Sequence, residues 1–332
     1  MASMDHGGLH LSGVQQIFSD FIVGELLLAL EENGVLGKIA NENPFSVRTV
    51  ARETGVNDDV LRAACDFLAE RGLCEKVNAD RYRLLGMYDD IKSSANFLLA
   101  YKTMYESLAG LMNDSRRYGS DIKRNGICYR RGLDAMVAHA FPSLLARLGE
   151  LGVKRITGIG ANALGFLRVA SEEIRPAACI GVVSGEERAE LEKERERNAQ
   201  SGAGIEIVKG DPEHPERFPA DARTADALLG VAVFHDFRPE DALITVLDSY
   251  KKAFSGARLF ILEFDVPDRN DLRDHGTPSA RYMASVSRLT HALKKEIGPW
   301  PMSKWTRAIG RSSWRLAQAK KFESGLVIYE CE

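Results

Sequence analysis

Between Val14 and Leu30 the apolar side chains fall at helical spacing, Val14, Ile17, Phe18, Phe21, Ile22, Leu26 and Leu30, and Gly34 and Gly37 close the run. The spacing predicts a helix with a wide apolar stripe. A helical stretch from Ser46 to Glu53 then meets a turn at Thr54-Gly55, and a second runs from Asp58 through Arg71 to Gly72. This is helix-turn-helix spacing. Leu73 to Val77 and Tyr82 to Leu85 flank the polar turn Asn78-Ala79-Asp80 and read as the two strands of a wing. Residues 1–92 are therefore expected to form an α-helical winged-helix domain. Its stripe at 14–30 is too apolar for a small domain to bury alone, which predicts a homodimer built through that domain.

From about residue 92 a long helical stretch, SSANFLLAYKTMYESLAGLM, leads into a basic loop from Arg116 to Arg131, and one more helix is expected over Leu133 to Leu151. The pattern then changes. Short apolar runs alternate with helical segments, giving strands at Arg155–Ile159, Ala178–Val183, Gly204–Val208, Ala225–Val233 and Ala257–Phe264. Strands and helices alternating in this way predict an α/β fold over 93–332, a Rossmann-like, doubly wound parallel sheet with helices on both faces. The mixed-sign segment Glu186–Arg197 reads as a solvated helix face.

Composition narrows the classes. At 332 residues, 45% hydrophobic and 27% charged, the chain has enough apolar material for two folded domains without staples. The net charge of −3 offers no field for nucleic acid, and the second helix of the winged unit sets Asp58, Asp59, Asp66 and Glu70 against only Arg62 and Arg71. No nucleic-acid partner is expected. The apolar stretch Phe21 to Leu30 is interrupted by Glu25 and falls short of the ~20 residues a membrane span needs. The first Lys or Arg is Lys38, which argues against a secretory leader, so no membrane association and a cytoplasmic location are expected. Five cysteines show no CxxC pair or zinc-finger spacing and read as reduced thiols.

In a doubly wound fold, ligands sit beyond the C-terminal ends of the strands, and glycines let the backbone approach them. The first strand-to-helix turn here reads RITGIGANALGFL, with Gly158, Gly160 and Gly165. An acid ending the second strand would take the ribose hydroxyls. The chain instead reads CIGVVSGEE, with Val183 in that place and Glu186 and Glu187 further on.

Over nearly its whole length the order of parts resembles the class I S-adenosylmethionine (SAM)-dependent O-methyltransferase family with an N-terminal dimerisation domain. The resemblance is carried by RRGLDAMVAHAFPSLLARL before the glycine loop, by IEIVKGDP with Asp211, and above all by VAVFHDFRPEDALITVLDSYKKAFSGARLFILE. It implies SAM as donor, a small-molecule acceptor, and cofactor contacts at Gly158, Gly160, Asn162, Val183 and Asp211. Two departures bear on that cofactor. Ile156 and Thr157 stand where the family has an acid before the loop, with Asn162 where a third glycine often stands, and Val183 replaces the ribose acid.

The resemblance also implies roles for the histidines. His235, just past the fourth strand, matches the general base of the O-methyltransferases, a role suited to a side chain titrating near neutrality. In the 2-oxo-acid C-methyltransferase branch, the His-Asp pair and a later histidine bind a metal, which would make His235, Asp236 and His291 a ligand set for non-haem iron. On the residues alone, Asp236 equally reads as a cap of the helix near Pro239, and His291 as an ordinary polar helix residue. Tyr101, Met104, Tyr105, Trp300 and Trp305 are candidates for the acceptor pocket, and Arg116, Arg117, Arg130 and Arg131 for pairing with a carboxylate. The leading expectation is a homodimeric SAM-dependent methyltransferase of a small metabolite, such as a 2-oxo acid held by iron. The alternative is an enzyme of the same fold that no longer transfers methyl and uses the cleft for metal-dependent oxidation or a rearrangement.

Overall fold

The computed structural model describes residues 13–85, 88–189, 191, 204–237, 239–267, 278–294 and 300–332. The chain divides into two compact units, Met1–Leu99 and Ala100–Glu332. The boundary expected at residue 92 falls inside a helix, Tyr88–Glu106.

The first unit opens with α1 (Gly13–Glu32) and α2 (Val35–Asn41), separated at Gly34, whose φ of 69° is left-handed. There follow β1 (Phe45–Ser46), α3 (Val47–Thr54), α4 (Asp58–Glu70), β2 (Cys74–Lys76) and β3 (Arg81–Leu84), with α5 (Tyr88–Glu106) running out of the unit. Ser46 and Asn57 accept from Thr49 and Val60 main-chain N–H groups, which fixes the starts of α3 and α4. The strands form a small antiparallel sheet in the order β1-β3-β2. Val35, Leu36, Phe45, Val47, Leu61, Leu68 and Tyr82 fill the core between them. Both arginines of the α4 segment are engaged inside the unit, Arg62 with Asp58 and Asp80, and Arg71 with Asp20.

The second unit continues with α6 (Leu108–Met112), α7 (Gly126–Val137) and α8 (Phe141–Glu150). The single helix expected over 133–151 is thus broken, because Pro142 in the first turn of α8 has no N–H to continue the preceding helix. Then come β4 (Arg155–Ile159), α9 (Leu164–Glu173), β5 (Ala178–Val183), β6 (Ile205–Lys209), β7 (Ala227–Val231), α10 (Glu240–Ala253), β8 (Arg258–Phe264), α11 (Pro278–Leu293), α12 (Met302–Arg311), β9 (Leu316–Lys321) and β10 (Leu326–Cys331). Residues 185–189 are helical, and most of the charged segment after them lies outside the described residues.

These strands build a seven-stranded sheet in the order β6-β5-β4-β7-β8-β10-β9. It is parallel from β6 to β8, and β10 runs antiparallel to both β8 and β9. β4, β5, β7 and β8 are buried along nearly their whole length, as strands covered on both faces must be. The doubly wound α/β architecture expected from the sequence is therefore present. The direction of winding reverses between β4 and β7, which opens a crevice at their C-terminal ends. No helix among the described residues is long and apolar enough to cross a membrane.

Candidate active site

His235 emerges from β7 on a single 3-10 turn, Phe234–Asp236. Phe234 is the anchor of that turn. It is fully buried and meets Phe237 and Tyr250 edge to face at 5.9 and 5.5 Å, and Gly230 leaves room for its ring against the strand. Ala232, immediately before, has a φ of 45°, a left-handed conformation costing a side-chain-bearing residue about 1–3 kcal/mol. Asn162 of the glycine loop donates to the Ala232 carbonyl at 3.2 Å and helps hold that bend. Asn162 thereby links the two loops that frame the crevice.

Behind the turn stands Glu263 of β8, with a side chain only 1% exposed. Its Oε2 lies 2.8 Å from His235 Nδ1, and its Oε1 accepts from the main-chain N–H groups of Phe234 at 3.1 Å and His235 at 3.3 Å. An ionised carboxylate only accepts, so the ring proton sits on Nδ1 and Nε2 carries the lone pair. Asp236 Oδ1 lies 3.4 Å from that Nε2. Burial opposes a charge on His235, but Glu263 outweighs it, with Asp236 assisting, and the ring's pKa is raised. Sequence reasoning missed Glu263. A lone acid inside the apolar run RLFILEF was the available signal.

His291, on α11, meets the His235 ring edge to face with centroids 5.9 Å apart. Its Nδ1 donates to the Ser287 carbonyl at 2.6 Å, and burial lowers its pKa to about 4. His291 is thus a neutral ring at physiological pH. Among the described residues no group of three His, Cys, Asp or Glu side chains is arranged to hold a metal ion. Of the set His235, Asp236 and His291, the two rings form a close pair, and Asp236, more than half exposed, reaches His235 Nε2 at 3.4 Å. Nor does Asp236 cap α10, whose N-cap is Pro239.

The expected cofactor residues separate into different jobs. Gly160, with φ 76°, makes the left-handed turn after β4 and donates to the Val182 carbonyl. Gly158 is a packing glycine: a Cβ there would stand 2.8 and 2.9 Å from Leu167 and Ala163. Val183 is wholly buried, so its side chain cannot reach a ligand. Asp211 is exposed and spends its carboxylate on the Glu213 N–H at 3.0 Å. Four residues beyond Val183 stands Glu187, whose carboxylate accepts from Ser184 N–H at 2.9 Å and Ala161 N–H at 3.3 Å, bridging the loops after β5 and β4.

A pocket of about 280 Å³ opens beside this bridge, lined by Ala161, Asn162, Ser184 and Glu187 on one side and by residues between Tyr118 and Arg130 on the other. Of the arginines expected to face a ligand, Arg130 lies in its wall, while Arg116 is engaged by Ser107. Trp300 and Trp305 are core residues, 5.4 Å apart and buried, and Met104 is buried in a small cluster with Leu111 and Ile122. Tyr105 places its hydroxyl 3.5 Å from that of Thr290.

No protein-family model matches the chain, and no curated protein matches it by sequence. Solved structures match it in fold. Human N-acetylserotonin methyltransferase in complex with SAM superposes with a TM-score of 0.69 at 14% identity, covering 98% of this chain and 99% of that one. The mitomycin 7-O-methyltransferase MmcR gives 0.64 at 16% identity over 96% of both chains. PigF with SAH gives 0.66 at 12% identity, over 97% of this chain and 100% of the other. At these identities the likeness establishes the fold, which this chain shares with them end to end.

Proposed function

We propose that this protein is a SAM-dependent methyltransferase of a small molecule, with His235 as the general base. The observation that carries the reading is the His235–Glu263 contact at 2.8 Å, set at the crevice where the winding reverses. The Nδ1 proton is committed to Glu263, so Nε2 is the atom that receives a proton from an acceptor hydroxyl. Asp236 stabilises the imidazolium that results.

The residues present fit the cofactor. Gly160 turns the loop, and Ala161, Asn162 and Ser184 offer polar atoms to a nucleoside, while Glu187 replaces the ribose acid that Val183 cannot be. When bound, SAM supplies an electrophilic methyl group. The protein's own part is to hold Glu187 across the two loops, to fix the His235 ring in one tautomer, and to accept the proton. We also propose a homodimer formed through α1, whose Phe18 and Phe21 are exposed.

A second reading retains iron at His235, Asp236 and His291, for C-methylation of a 2-oxo acid or for chemistry without methyl transfer. Two observations favour it: the rings of His235 and His291 approach to 5.9 Å, and both Nδ1 atoms are tied back by acceptors, which leaves both Nε2 atoms for a metal. The absence of a three-ligand group among the described residues weighs against it. Calorimetry with S-adenosylhomocysteine (SAH), metal analysis, and mass spectrometry of hydroxylated acceptors incubated with SAM test both readings. The first expects SAH binding, product, and no loss with chelator. No heat with SAH would sink it.

A further inference from the structure

The cleft holds three cationic side chains beside its acids. Lys123, Arg124 and Arg130 all line the pocket beside the loops after β4 and β5. Lys123 is matched, its Nζ lying 2.8 Å from Glu186 Oε1. Arg124 is different. Among the described residues no carboxylate forms an ion pair with its guanidinium, and its surroundings are aromatic. The guanidinium carbon stands 3.8 Å from the centre of the Tyr129 ring, Tyr101 accepts a hydrogen bond from it, and Tyr118 stands close by. Tyr101 and Tyr129 meet edge to face at 6.0 Å, so the surround is a packed one.

Geometry and electrostatics then point the same way. A half-buried guanidinium has lost part of its hydration, and tyrosine rings return only some of that loss. Stacking engages the face of the group, whereas a carboxylate is taken by its in-plane N–H edge, so the two contacts do not compete. Tyr129 also feels the charges of Asp236 and Glu263, which puts the stacked pair in the same cleft as His235. Those two acids, with Glu186 and Glu187, make the cleft selective about which anion enters and where. An anion is attracted by the Arg124 guanidinium and repelled beside the acids.

We propose that Arg124, assisted by Tyr101, is a carboxylate-binding site in this cleft. The identity of the ligand rests on the methyl-transfer reading: the carboxylate belongs to the amino-acid end of SAM or to the acceptor. The test is calorimetry on the full chain with three probes, SAH, 5′-methylthioadenosine, which lacks the amino-acid end, and benzoate. Wild type, Arg124→Gln and Arg124→Lys are compared, with circular dichroism to verify folding. Arg124→Gln is expected to weaken SAH or benzoate by about tenfold or more while leaving methylthioadenosine unchanged. Arg124→Lys should fall between, since it keeps the charge and loses the fork. A loss confined to SAH assigns the site to the cofactor's carboxylate, and a loss confined to benzoate assigns it to the acceptor. Unchanged SAH and benzoate binding in a folded Arg124→Gln protein overturns the proposal, as does an equal loss of methylthioadenosine. If wild type binds neither adenosyl probe, the methyl-transfer reading fails, and the benzoate arm alone decides the site.

Discussion

Glu263 holds His235 twice, through the ring at Nδ1 and through the main chain at the N–H groups of residues 234 and 235. One buried carboxylate therefore sets both the tautomer of the ring and the bend that carries it into the crevice. Removing its charge is a different experiment from removing its shape. Glu263→Gln keeps an acceptor for the main chain but no longer stabilises an imidazolium, so methyl transfer should fall by about a hundredfold with the fold intact. Because the base works unprotonated, wild-type rate should rise with pH through the raised pKa of His235, which Glu263 and Asp236 lift and Lys294 and burial oppose. In Glu263→Gln the midpoint should move to lower pH. Initial-rate profiles check this, and an unshifted midpoint would count against the dyad.

The neighbouring rings respond to acid in opposite senses. His235, with a raised pKa, adds stability that is full below the usual ~6.5 of an unfolded histidine and is lost as pH rises through the folded value. His291, lowered to about 4 by burial, adds stability that is full above ~6.5 and is lost as pH falls toward its folded value. Urea midpoints measured on the acid side should therefore fall less steeply in His291→Asn than in wild type. Parallel curves would show that the ring is not buried as described.

Strands β4 and β5 were legible to the residue because β5 is an unbroken apolar run and β4 brings Ile156 and Ile159 up to the glycine turn that closes it. The pair β9 and β10 was not anticipated. β9 reads LAQAKK and exposes much of its length, while β10 carries Glu330, whose burial makes sense only once Arg147 and Arg258 reach it at 2.9 and 2.6 Å. The same limit applies at the site. His235 announced itself by its position after a strand, but Glu263 has its partner 28 residues away and Arg124 meets Tyr101 on the preceding helix, and no local pattern encodes those meetings. Val183 shows the converse: its place in the sequence was that of a ligand residue, and the pleat turned its side chain into the core.

That inward turn decides what an acid at 183 would do. Val183→Asp should not tighten a nucleoside; it should bury an unpaired carboxylate and destabilise the protein by about 3–5 kcal/mol. Glu187→Gln should instead leave stability nearly unchanged and weaken SAH by about tenfold, since its carboxylate already stands between Ser184 and Ala161. Thermal melts and calorimetry on the two variants separate the roles. Tighter SAH binding by Val183→Asp would place the ribose elsewhere than proposed.

Gly158→Ala offers a test of packing without chemistry. Its Cβ would press on Leu167 and Ala163 at 2.8 and 2.9 Å, and Ala163 belongs to the rigid turn that starts α9. A loss of about 1–3 kcal/mol in urea unfolding is expected, with residual SAH affinity close to wild type in the folded fraction. Loss of affinity without loss of stability would mean that Gly158 lies against the ligand after all.

The dimer prediction turns on which residues of α1 are substituted. Val14 and Ile17, which begin the stripe, have side chains outside the described ones, and Leu26 is half-buried against the core of its own unit. A charge at 26 would damage that core and report nothing about association. Phe18 and Phe21 are the informative pair, 65% and 62% exposed in the isolated chain, where two large aromatic faces have no reason to stand in water unless another surface covers them. Phe18→Asp with Phe21→Asp should turn a dimer at micromolar concentration into a monomer in sedimentation velocity. Because neither ring is packed within the chain, the double variant should keep its monomer fold, by circular dichroism and by an unchanged Tyr82-centred core. A monomeric wild type would reject the dimer, and a dimer that survives both charges would move its interface away from this face of α1.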